Sequence, residues 1–156
     1  MKGESVTSPA KQVAGFIAKF DPAVAKTTRA ARSVLRKRFP TAIELVYDNY
    51  NALAIGYRST ERTSDVLFSL AVYASGVNLY FMYGRSLPDP HKLLQGSGSQ
   101  GAFVRLDDLS VLDDPGVKAL IAAAVKNAEP PLPARGRGYT IVKSISAKQR
   151  PRRIKR

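Results

Sequence analysis

Residues 76–106 read GVNLYFMYGRSLPDPHKLLQGSGSQGAFVRL, and this stretch restricts the fold more than any other. Side chains alternate along a strand, so Val77, Leu79, Phe81 and Tyr83 share one face while Asn78, Tyr80 and Met82 share the other. Neither face is plainly solvent-like. One is expected to meet a helical layer, the other a loop, a partner or a ligand. Gly84 frees the backbone to turn, and Pro88 and Pro90 bar a continuing central strand. Asp89 before Pro90 has the form of an N-cap with Pro at N1, which predicts one helical turn over residues 91–95. Gly96, Gly98 and Gly101, with Ser97, Ser99 and Gln100 between them, lead to a second strand over residues 102–106. Such a loop either turns tightly or lets a ligand approach its N–H groups.

The preceding segments are built to meet this stretch. Ile43, Leu45 and Tyr47 alternate. Leu53, Ile55 and Tyr57 oppose Ala52, Ala54 and Gly56, a small-residue face that something must approach closely. Residues 66–74 form the longest strand, and Ser75-Gly76 turns it into the next one as a hairpin. Phe68, Leu70, Leu79 and Phe81 are expected to point at the helices. Three cap-then-proline pairs, Ser8-Pro9, Asp21-Pro22 and Asp114-Pro115, each predict a helix start. In the second helix Val24, Thr27, Ala31, Val34 and Leu35 make the apolar stripe. Arg29, Arg32, Arg36, Lys37 and Arg38 mark its wet face and its C-terminal end, where cations suit the helix dipole. The order helix, helix, about five strands, helix gives an α+β fold: a two-layer sandwich with one antiparallel sheet, N-terminal helices and a C-terminal helix.

A chain of 156 residues with 44% apolar content fits one domain with tails. It has no Cys, which removes disulfide and thiol chemistry and suits a reducing compartment. No apolar run reaches membrane-spanning length, and the start, MKGESVTSPAKQ, lacks a signal core. A cytoplasmic chain without a membrane partner is the expectation. The net charge is +13, and nine cations with no acidic residue lie in residues 130–156. Pro130-Pro131-Leu132-Pro133 therefore divides a domain at 9–129 from a basic Pro/Arg-rich extension at 130–156, in which residues 139–146 are the one candidate strand. The final QRPRRIKR is expected to be disordered when alone.

Taken together, ELVYDNYNALAIGY, LAVYASGVNLYFMYG, LPDPHKLLQGSGSQ and DDPGVKALIAAA resemble the YdhG-like family, a bacterial domain of unknown function. The block Gly84, Leu87, Asp89, Pro90, Leu93, Leu94, Gly96, Gly98 carries the resemblance most specifically. It implies a small helix-and-sheet sandwich, and some relatives are described as frataxin-like iron chaperones. Ser99 and Ala102 stand where relatives usually carry basic side chains, which puts an anion-binding role for this loop in doubt.

GSGSQG lacks the Lys-Ser/Thr end of a phosphate loop. His91 is the only histidine and has no Cys or second His to complete a metal site. No nucleophile-elbow motif joins Ser97, His91 and Asp89, and no catalytic residue is assigned. No metal ligand is assigned, and the cofactor is unknown. The tyrosines of the strands suit core and rim packing, or a phenol-lined cleft beside the glycine loop. Tyr47, Asn49, Tyr80, Ser97, Gly96 and Gly98 are the candidate lining of that cleft, for a small ligand. Arg150, Arg152, Arg153, Lys155 and Arg156 are the candidate residues for weak attraction of nucleic acid or another polyanion. The functional expectation is a binding or adaptor domain. The alternatives are a frataxin-like iron-handling chaperone and an enzyme on a small anionic substrate.

Overall fold

The structure is a computed structural model and describes residues 7–154. Two helices, α1 (Pro9–Ala18) and α2 (Pro22–Arg38), are followed by five strands: β1 (Ile43–Asp48), β2 (Leu53–Arg58), β3 (Val66–Tyr73), β4 (Gly76–Phe81) and β5 (Ala102–Leu106). Helix α3 (Pro115–Lys126) and a sixth strand, β6 (Thr140–Ile145), complete it. The fold is α+β, with helices packed on one sheet.

Each helix begins where a cap-proline pair stands. The Ser8 hydroxyl accepts the Lys11 N–H, and Asp114 accepts those of Gly116 and Val117. Asp21 occupies the cap position of α2 without a side-chain capping bond. Its carboxylate accepts instead from the Ile154 N–H at 3.2 Å.

The sheet order is β5-β4-β3-β2-β1-β6. Strands β1 to β5 form the expected antiparallel meander, and β6 adds to the outside of β1 in parallel. The sheet is therefore mixed and six-stranded. One apolar row crosses all of it: Val142, Val46, Ile55, Leu70, Leu79 and Val104 lie side by side. This face meets the helices, and Phe68, Leu70, Leu79 and Phe81 are all buried against them, as their alternation requires. Phe68 anchors an aromatic group with Phe39, Tyr57 and Phe81, at centroid distances of 5.3, 5.5 and 6.5 Å.

Two local expectations change. Residues 91–95 form no helical turn: the chain turns at 90–91 and runs on irregularly to a bridge at Gln95. The two Asp89 oxygens take the N–H groups of Leu93 and Leu94, Lys92 adopts φ 54, and Gln95 pairs with Phe103 outside β5. The carboxylate thus closes a turn where a helix would have left it at an open end. The described part of QRPRRIKR, residues 149–154, is also docked on the body and not free. Residues 140–145 are paired with β1 and Arg152 is buried. Gly138 makes that docking feasible: a Cβ there would collide with the Ala42 carbonyl. Its N–H donates to Pro40 at 2.7 Å, and the Glu44 N–H then donates to Tyr139 at 2.9 Å.

Candidate functional site

The residues proposed for a cleft beside the glycine loop do not share one place. Tyr47 and Tyr80 lie on the same sheet face, the one turned from the helices, but on β1 and β4. Three strand spacings separate them, roughly 14 Å. The Tyr47 hydroxyl bonds to Thr63, and the Arg58 guanidinium lies over its ring. Arg58 also fills the space above Gly56, the close approach that the small-residue face foretold. Tyr80 packs against Gly101, where a Cβ would overlap its hydroxyl. Asn49 sits past the end of β1 and receives a bond of 3.5 Å from Ser144. Ser97 is exposed. The carbonyls of Gly96 and Gly98 both accept from Arg85, so the loop is folded around that guanidinium.

The candidate polyanion residues also divide. Arg152 donates to the Asp48 carboxylate at 2.8 Å and to the Asn49 carbonyl at 2.6 Å, with only 5% of its side chain exposed. It is a buried structural cation and cannot also face a solvent polyanion. Arg150 stacks on Tyr50. Arg153 donates to the carbonyls of Ala18 and Lys19 at the end of α1, where a cation is favoured. Lys155 and Arg156 lie outside the described residues.

A different concavity, of about 490 Å³, opens between α2, the end of α1 and the segment that enters β6. Its floor holds two buried polar groups, Glu44 and Tyr57. Arg32 grips Glu44 with two bonds of 2.9 Å, while Tyr57 donates to it at 2.8 Å and Thr140 at 2.7 Å. Both carboxylate oxygens are therefore doubly bonded. Burial pushes this carboxyl up, but Arg32, Thr140 and Tyr57 outweigh burial and hold it below the ordinary value. Burial, together with the Glu44 charge, pushes the Tyr57 phenol well above its ordinary value. Burial lowers the Arg32 guanidinium, and Glu44 more than restores it.

Above that floor the walls are cationic. Arg29, Ser33, Arg36 and Lys37 line the helix side, and Arg137 lines the opposite side. Positions 29, 32, 33, 36 and 37 recur on one face of a 3.6-residue helix, so the wet face of α2 is one coherent wall. Among the described residues, none of Arg29, Arg36, Lys37 and Arg137 forms a salt bridge. The helix dipole accounts for the last-turn cations Arg36 and Lys37, but not for Arg29 or for Arg137 from another segment. Like charges three or four residues apart cost a few tenths of a kcal/mol each, so the crowding does not stabilise the helix.

Among the described residues no group of three His, Cys, Asp or Glu converges as metal ligands, and no helix is long and apolar enough to cross a membrane. Searches of family models, curated proteins and solved structures found no match to this chain. Sequence reasoning named every cation of the pocket but placed them on a solvated face and a free tail. The usable signal was the 29, 32, 36 spacing. What could not be seen was the second wall, because Arg137 reaches the site only through β6.

Proposed function

We propose that this chain is a binding module for a small anion, with the α2–β6 pocket as its site. The observation that carries this reading is four unpaired cations around one concavity whose only carboxylate is already fully bonded. Such a pocket concentrates positive potential. Its volume lies in the range of small-molecule sites. Binding is favoured over catalysis because both titratable floor groups are fixed near neutral pH, Glu44 ionised and Tyr57 protonated. Neither is poised to move a proton. The YdhG-like resemblance belongs to the same proposal; it covers roughly residues 13–128 and is most specific over 84–98. Among the described residues no set of converging ligands supports the iron-handling alternative.

Thermal unfolding tests the reading. A ligand that binds only the folded state raises the melting temperature with its concentration. Sulfate and phosphate should stabilise the chain more than chloride at matched ionic strength. The Arg29→Ala/Arg36→Ala variant should lose that difference. Equal response in both proteins would place the anion elsewhere.

A further inference from the structure

We infer that the pocket is built for an oligophosphate, a ligand with two or more linked phosphoryl groups, and not for a single phosphate or a monocarboxylate. This rests on the anion-binding reading above and sharpens it. The first reason is length. Arg29 and Lys37 are eight residues apart on one helix, which is about 12 Å at the α-helical rise. One phosphate covers only part of a wall of that length, whereas a chain of phosphoryl groups lies along it and meets cations at both ends without drawing them together. The second is charge. Arg29, Arg36, Lys37 and Arg137 present four positive charges, and Glu44 cancels only Arg32, which it already holds at 2.9 Å. A monoanion leaves most of this field unmatched. The third is donor type. Arginine forks meet phosphoryl oxygens in pairs, and Ser33 places a hydroxyl between them on the same helix face. The chain Arg32–Glu44–Thr140 ties the helix wall to the β6 side, so the two cationic walls are held at a fixed separation before the ligand arrives.

Isothermal titration of the full chain with phosphate, pyrophosphate, tripolyphosphate, citrate and a short single-stranded oligonucleotide, at constant ionic strength, tests this. One added charge-assisted contact is worth about tenfold in affinity or more. Pyrophosphate and tripolyphosphate should therefore bind at least about tenfold more tightly than phosphate, in that rising order. The excess should vanish in Arg29→Ala/Arg36→Ala and fall in Arg137→Ala. If phosphate and tripolyphosphate bind equally, the oligophosphate inference fails while the anion site survives. Citrate as tight as tripolyphosphate would leave charge alone as the criterion and also overturn it. An oligonucleotide that outcompetes tripolyphosphate would make the pocket part of a nucleic-acid surface, against the inference. If no anion binds, or if the variants bind as the parent does, both readings fall. Circular dichroism and melting curves establish that each variant is folded before it is titrated.

Discussion

Two carboxylates sit on the helix-facing side of the same strand, and the chain treats them in opposite ways. Asp48 and Glu44 are four residues apart on β1, about 13 Å, and both are buried. Asp48 is matched by two cations, Lys19 at 2.6 Å and Arg152 at 2.8 Å, and Arg152 is itself buried over Phe20. Glu44 is matched by Arg32, yet further cations gather in front of it with no partner. Where each cation is bonded to the carboxylate, as Lys19 and Arg152 are to Asp48, the group holds the C-terminal segment to the body. Where cations line an opening without a salt-bridge partner, stability does not explain them, and the proposed anion would. The comparison teaches that the number of basic residues in a segment says little until their partners are known.

The largest expected effect breaks the closed end. Arg152→Ala strips a buried carboxylate of its most enclosed partner. Removing one member of a buried pair costs about 3 kcal/mol or more, and retention of Lys19 keeps this loss at the lower end. Urea unfolding should show that loss, and anion affinity measured under folding conditions should not change by much. An unchanged midpoint would mean that the C-terminal segment is not held by this pair.

Glu44→Gln should separate the two ends next. It weakens bonds to a charged group, at a cost of about 2 kcal/mol. It also makes the pocket more positive by one charge, so anion binding should tighten while stability falls. A parallel loss of both would assign Glu44 to the ligand and not to the floor.

The pH dependence comes third. Burial raises Asp48, and the bonds from Lys19, Gln149 and Arg152 outweigh it, so this carboxyl also lies below its ordinary value. The folded values of both carboxyls are depressed relative to the unfolded chain. Their contribution is fully present above the unfolded carboxyl range near pH 4, and it is lost as pH falls through the lower folded values. Stability measured from pH 6 to pH 2 should drop steeply below about pH 4. The drop should be shallower in Glu44→Gln and in Asp48→Asn.

The smallest effect on stability is expected at the open end. Arg29→Ala/Arg36→Ala removes exposed cations without salt-bridge partners, so the unfolding free energy should move by about 0.5 kcal/mol or less. Unfolding curves of parent and variant check this. A large loss would make these arginines structural.

Much of the architecture was legible because it is local. Ser8-Pro9 and Asp114-Pro115 carry their caps within three residues. Phe68, Leu70, Leu79 and Phe81 announce their face by alternation, and the 73–76 turn joins strands that are neighbours in sequence. What was missed is long-range. The strand at 139–146 was legible, but its partner was not: residues 140–145 pair with β1 across about a hundred positions, with no turn-linked neighbour to point to it. Arg152 reads as a free cation because its counter-charge, Asp48, stands 104 residues away in sequence. The site was hidden for the same reason. One wall was visible as the spacing of Arg29, Arg32 and Arg36, but the other depends on the return of Gly138 to Ala42.

The most direct measurement is a titration of the isotope-labelled full chain with pyrophosphate, followed by amide and guanidinium resonances. The largest changes are expected at Arg29, Ser33, Arg36, Lys37 and Arg137 through Thr140, with saturation at one site. Residues 148–154 and the glycine loop at 96–101 should stay nearly still. Dominant changes at 148–154, or at the glycine loop, would contradict the division between a closed structural end and an open binding end.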